Sequence, residues 1–316
     1  MKKFITAALA AVMAASLAAC GSSSTAETTA AADTETSAAA ESQESTEAAD
    51  EEIKTVEEGK LTVATSPDFA PYEFYAIDES GQPHLAGFDV DLANYIADYL
   101  GLELEMIPMD FDGTIMELSQ GNVDLGMAGY SPSPERADVM DFSDIYITGG
   151  QSFVCLKDNA DKFTSLEDTN KSDLTIGAQV GSIQADLAKQ NSPDADIIEM
   201  AKVTDIIAEL LSGKMDGAYI ETMVAESYAK SYPELDIVLD VPYDNEGSVV
   251  GVQKGNAALL KGVNEAIAKC IESGELNDYV AKANELASGD IIEGLVDESA
   301  ADTAESTEAA EETTAQ

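Results

Sequence analysis

The chain contains a single arginine, Arg136, closing the stretch Ala128-Gly129-Tyr130-Ser131-Pro132-Ser133-Pro134-Glu135-Arg136. Ser133 suits a helix N-cap and Pro134 the first helical position, which puts Arg136 one turn into a helix. The loop before it offers the amides of Gly129 and Ser131 and the Ser131 hydroxyl. A guanidinium fork pointing back at such a loop is a receptor for a carboxylate. By spacing alone a plainer reading stands beside it, a surface cation on an acidic protein.

Other chemistries have fewer residues to work with. One histidine, His84, and no CxxC pair exclude the usual zinc constellations. Ser-His or Cys-His catalysis would have to be built on His84, which stands in the turn-like Ser80-Gly81-Gln82-Pro83-His84 and reads as a solvated loop residue. Neither GxxxxGK[ST] nor GxGxxG occurs, so nucleotide binding by the usual loops is unsupported and no cofactor or metal is expected. Cys155 lies in an apolar strand and Cys270 on the helix face Leu259, Val263, Ala266, Ile267, Cys270. Both read as buried free thiols rather than a disulfide.

The 316 residues hold 61 acids against 16 bases. Residues 21–52 and 297–316 are almost entirely Ala, Ser, Thr, Glu and Asp, too poor in apolar side chains to offset ordering entropy. They are expected to be disordered. Outside these tails and the leader, 45 acids face 14 bases. Such a surface repels a phosphate backbone, which argues against nucleic acid as a partner.

At the N-terminus, Lys2-Lys3 precede the apolar run Phe4 to Ala19, which is short for a spanning helix and reads as a secretory signal. Its ending, Leu17-Ala18-Ala19-Cys20-Gly21, resembles a bacterial lipobox. That likeness implies removal of residues 1–19 and acylation of Cys20, which would hold the protein at the outer face of a membrane. An ordinary signal with an incidental cysteine is the alternative. Residues 20–52 would then be a flexible tether with an end-to-end distance of roughly 30 Å.

Between the tails the pattern alternates. Leu61 to Ala64 reads as a buried strand, Phe88 to Leu100 as a helix ended by Gly101, Leu102 to Pro108 as a strand, Gly113 to Gln120 as a helix, and Val123 to Gly126 as a strand. After Phe163 the same grammar restarts through Leu174–Gly177, Ser182–Lys189, Ile197–Glu199, Thr204–Leu211 and Gly217–Tyr219. Strands alternating with helices predict α/β layers. Two such runs predict two lobes: residues 53–151 with 247–296, and residues 152–246. A ligand then belongs in the crevice between them.

Particular motifs sharpen this. Phe69-Ala70-Pro71-Tyr72-Glu73, Gly87-Phe88-Asp89-Val90-Asp91-Leu92, Gly121-Asn122-Val123-Asp124, Pro134-Glu135-Arg136 and Asp141-Phe142-Ser143 follow one another in order. In this the chain resembles the bacterial extracellular solute-binding proteins for amino acids, of the periplasmic-binding type II fold. Weaker likeness runs through Ile176 to Ser182 and Asp216 to Glu221.

The resemblance implies aromatic residues at Phe69 and Phe111 flanking an amino acid, and Arg136 on its α-carboxylate. Gly129, Ser131 and Ser182 would assist Arg136. Glu221 would take the α-ammonium, where the family usually has the shorter Asp. Asp89 is expected to cap the helix that starts at Phe88. Relatives that take cationic ligands often carry Asp where Ser66 stands, and Gln179 lies where the ligand's side chain would reach. Neither is charged, so a neutral amino acid is expected.

Crossings near Gln151–Val154 and Gly247–Gly251 would join the lobes, and the ligand would favour closure by bridging them. The resemblance also implies a monomer that delivers to an ABC permease, and no catalysis. The rival readings are a sensory surface lipoprotein of the same fold and a dehydratase for cyclic carboxylic acids.

Overall fold

The computed structural model describes residues 53–287, except 79, 245 and 246. The leader, Cys20, the 20–52 tether and the 297–316 tail lie outside the described residues.

Leu61 to Thr65 are all buried, and a run with no polar face is what a strand covered on both sides requires. The strand Lys60–Thr65 accordingly lies inside a five-stranded sheet ordered Glu103–Pro108, Lys60–Thr65, Leu125–Gly126, Gly251–Gln253, Met140–Phe142. The first three strands are parallel, and Gly251–Gln253 runs antiparallel to both its neighbours. Helix Phe88–Leu100 packs Leu92, Ala93 and Ile96 into the core with Leu61 and Val63. It stops at Gly101, whose φ of 69° disfavours any side chain. Helix Ala257–Ser273 buries Leu259, Val263, Ala266, Ile267 and Cys270, the face read from the sequence.

The second sheet is ordered Asp196–Met200, Thr175–Gln179, Gly217–Glu221, Gln151–Leu156, Leu235–Asp240. Again the first three are parallel, while Gln151–Leu156 is antiparallel to its neighbours. Helices Ile183–Asn191, Val203–Leu211 and Thr222–Ser231 follow its strands. Each sheet with its helices makes one lobe, the two-lobed α/β architecture expected. A small antiparallel sheet, Asp68–Phe69, Glu73–Ile77 and Pro83–Ala86, is added to the first lobe. Cys155 and Cys270 are buried free thiols, and burial pushes each up to about 11, so both stay protonated at neutral pH.

Two local expectations differ from what is found. The chain passes between the sheets through 143–150 and, on its return, through 247–250, where Ile147 and Ser248 form an antiparallel bridge. Gln151–Val154, read as the first crossing, instead pairs with Gly217–Glu221 and Leu235–Asp240 inside the second sheet. A buried central strand and a hinge strand present the same short apolar run, so periodicity does not separate them. His84 is exposed, as expected, but in strand Pro83–Ala86 opposite Ala76 rather than in a loop.

Candidate functional site

Arg136 sits in the short helix Pro134–Ala137, whose N-cap Ser133 accepts the Arg136 amide at 3.3 Å. Its Nη1 donates to the Ser131 carbonyl at 2.8 Å. Its Nη2 donates across the cleft to the Gly181 carbonyl of the second lobe at 3.1 Å. The guanidinium carbon lies 5.4 Å from the centre of the Phe111 ring and 5.6 Å from that of Tyr130. Arg136 is only 7% exposed and forms no ion pair with any described residue. Burial lowers its pKa from the usual arginine value without removing the charge at neutral pH. Buried charges are ordinarily paired, so carbonyls and ring faces alone leave Arg136 suited to an anion.

Phe69 and Phe111, expected on either side of a ligand, are both buried. The Phe69 ring lies so close to Gly129 that a Cβ there would stand 2.7 Å from its Cε1, and Gly129 also has φ +58°. Only glycine fits that position. The Gly129 amide, however, donates to Asp89 Oδ2 at 3.1 Å rather than standing free, and Tyr146 donates to Asp89 Oδ1 at 2.7 Å. Asp89 is therefore not a helix cap. Gly87 occupies the N-cap, and Asp89 pins the loop that carries Ser131. Ser131 is buried and gives its carbonyl to Arg136.

On the second lobe, Glu221 ends a strand and caps the helix Thr222–Ser231, its Oε2 accepting the Val224 amide at 2.9 Å. Its Oε1 is buried with no partner among the described residues. Burial pushes the carboxyl up to about 7, against the pull of the Val224 amide. Ser182 caps the helix Ile183–Asn191: its hydroxyl accepts the Ala185 amide at 3.2 Å and donates to the Gln179 carbonyl at 2.7 Å.

Ser66 and Gln179 both turn to one carboxylate. Ser66 Oγ donates to Asp68 Oδ1 at 2.8 Å, and Gln179 Nε2 to Asp68 Oδ2 at 3.1 Å. The Val203 amide, at the start of a second-lobe helix, donates to the same Oδ2 at 2.5 Å. Tyr228 adds a bond to the Asp68 carbonyl at 3.2 Å. Asp68 thus ties the first lobe to three elements of the second. The two uncharged residues behind the expectation of a neutral ligand are both occupied by it.

Asp68→Asn replaces one acceptor oxygen with a donor facing other donors, which should cost about 1–2 kcal/mol of the closed form. Ligand dissociation followed by surface plasmon resonance should then be about tenfold faster. An unchanged rate would remove Asp68 from closure.

Residues 61–284 match the model of the bacterial extracellular solute-binding proteins, family 3. The chain belongs to that family. It is 34% identical over 227 residues to the arginine-binding extracellular protein ArtP of Bacillus subtilis, covering 71% of this chain and 85% of the relative. The crystal structure of the amino acid ABC transporter substrate-binding protein AbpA from Streptococcus pneumoniae, bound to L-arginine, aligns with TM-score 0.70 and 33% identity. That alignment covers 73% of this chain and 97% of AbpA. The cyclohexadienyl dehydratase of Pseudomonas aeruginosa is 28% identical over 182 residues, 58% of this chain and 66% of the enzyme. Arg136 on the first lobe and Gly181, next to Ser182 on the second, meet through a 3.1 Å hydrogen bond. Asp68 is legible in the sequence as a cleft carboxylate, but its bonds to Gln179 and Val203, and that of Asp89 to Gly129, are not, because those partners are distant in the chain.

Proposed function

We propose that this chain captures a free amino acid outside the cell, closes its two lobes over it, and presents it to the permease of an ABC importer. The buried Arg136 guanidinium, held by the Ser131 and Gly181 carbonyls with no carboxylate of its own, carries the reading. It takes the α-carboxylate, and Glu221 on the opposite lobe takes the α-ammonium. Each lobe contributes one half of a zwitterion's recognition, so the ligand favours the closed form. The binding activities named for ArtP and AbpA support an amino-acid cargo. Incubation with the twenty common amino acids, followed by mass spectrometry of what the protein retains, should return an amino acid chemically unchanged. A product lacking water, formed from an added cyclic carboxylic acid, would move the chain to the dehydratase reading, which the near-neutral Glu221 also suits.

The lipid anchor belongs to the same proposal. Cys20→Ser should leave the chain as an uncleaved precursor or release it from the membrane fraction. Fractionation and migration identical to wild type would show that Cys20 carries no lipid.

A further inference from the structure

Glu221 leaves one acceptor unused. Its Oε2 holds the Val224 amide, while Oε1 is buried with no partner among the described residues. The chain crossing beside it fixes what surrounds that oxygen. A Cβ added to Gly149 would stand 2.9 Å from Glu221 Oε1 and 3.4 Å from the Tyr72 hydroxyl, so both atoms close on the same side of one glycine. Tyr72 comes from the first lobe, between strands Asp68–Phe69 and Glu73–Ile77, and Glu221 from the second.

The Tyr72 hydroxyl has a proton with a poor acceptor. Its oxygen accepts from Ser248 Oγ at 3.3 Å, on the return crossing, and its proton points to the Met223 sulfur, 3.9 Å away. A thioether is a weak acceptor, and a carboxylate oxygen is a much stronger one. The ring is held firmly: it is 0% exposed, and its centre lies 5.3 Å from that of Phe69 and 4.4 Å from that of Phe88. A turn of the O–H, with a small shift of the Glu221 side chain, exchanges the sulfur for the carboxylate.

Resting on the amino-acid reading above, we propose that Tyr72 is a positioning residue of the ammonium site, its hydroxyl donating to Glu221 Oε1 from the opposite lobe while Ser248 of the return crossing holds the phenol oxygen. The second lone pair of Oε1 stays open to the cargo's ammonium. A donor to the charged form favours that form. Burial raises the Glu221 carboxyl to about 7, and the Val224, Gly150 and Met223 amides, then the Tyr72 hydroxyl, hold it from rising further. Tyr72 itself stays protonated, pushed well above the usual phenol range by burial and by Glu221. The other titratable groups around the phenol are Asp89, near 6, and Tyr146, which donates to Asp89. Gln151, opposite Glu221 in the strand pair, and Ser248 do not titrate.

Tyr72→Phe keeps the ring and removes the hydroxyl. In the ligand-free full chain, NMR of labelled glutamate carboxyl carbons follows the ionisation directly, with the Glu221 signal assigned by its loss in Glu221→Gln. Its midpoint should rise by about one pH unit in Tyr72→Phe. Calorimetry with L-glutamine should then find the variant about tenfold weaker at about pH 5.5 and within about twofold of wild type at about pH 8.5, where Glu221 is ionised in both. In the Glu221→Gln background, Tyr72→Phe should change affinity by less than about twofold, which isolates any share of Asp89. In wild type, the hydroxyl-bearing carbon of Tyr72 should shift with the same midpoint as the Glu221 carboxyl, a reading that needs no stable variant. An unmoved Glu221 midpoint, a Tyr72 signal indifferent to it, or an affinity loss equal at both pH values overturns the Tyr72 assignment and leaves the amino-acid reading intact. Retention of no amino acid by wild type overturns that reading, and this inference with it.

Discussion

Replacing Arg136 by alanine is expected to raise the dissociation constant for the amino acid by about two to three and a half decades. Removing one partner of a buried charge pair leaves the other desolvated and uncompensated, at a cost of about 3–5 kcal/mol, and about 1.4 kcal/mol is one decade. The environment of Arg136 places the effect at the upper end. It is 7% exposed, lies against two rings, and is held by the Ser131 and Gly181 carbonyls. Because the Gly181 bond joins the lobes, the alanine variant also loses part of the closed form. Calorimetry on a variant with an unchanged circular dichroism spectrum measures the loss. A change below about fivefold would assign Arg136 to structure alone.

Glu221→Gln is expected to weaken binding by about 2–4 kcal/mol, roughly one and a half to three decades. Glutamine is chosen because its amide oxygen can still accept the Val224 amide and keep the helix cap, so the change falls on the ligand's ammonium. The wild-type pH profile carries the same information. Burial raises the Glu221 carboxyl to about 7, and only its ionised form pairs with an ammonium. Affinity should therefore fall as pH drops below about 7, approaching one decade per pH unit. L-Glutamine is the ligand to use, since its side chain carries no titrating group. In Glu221→Gln the dependence between about pH 5 and 8 should flatten. A variant that keeps the wild-type slope would place the titrating group elsewhere, with Asp68 and Asp89, each near 6, the candidates.

How much of this was legible in the chain follows from the distance over which each feature acts. The Arg136 helix was readable because Ser133 and Pro134 act within one turn, and the N-cap bond forms as the sequence implies. The alternation of strands and helices was readable for the same reason, and element ends move by only a few residues. Features that depend on remote partners were not. Val203 and Gln179 meet Asp68 across 135 and 111 residues, and nothing local to Ser66 or Gln179 shows that both turn to one carboxylate.

Asp89 illustrates a competing local signal. An acid in the first helical turn reads as a cap, but Gly87, with φ 123° and no room for a Cβ beside the Tyr72 carbonyl, takes the cap position. That leaves Asp89 to reach the Gly129 amide 40 residues away. Glu73 was visible only as part of a family motif. Its burial and its unmatched oxygens appear when the hairpin sets it opposite Phe69.

The central claim is recognition of both charged ends of an α-amino acid, one by each lobe. Its most direct test is a calorimetric comparison of L-arginine with agmatine, which has the same side chain and amine but no carboxylate. The account predicts that agmatine binds at least about 100-fold more weakly than arginine, because Arg136 would be left facing no anion. Agmatine binding within about tenfold of arginine would contradict it.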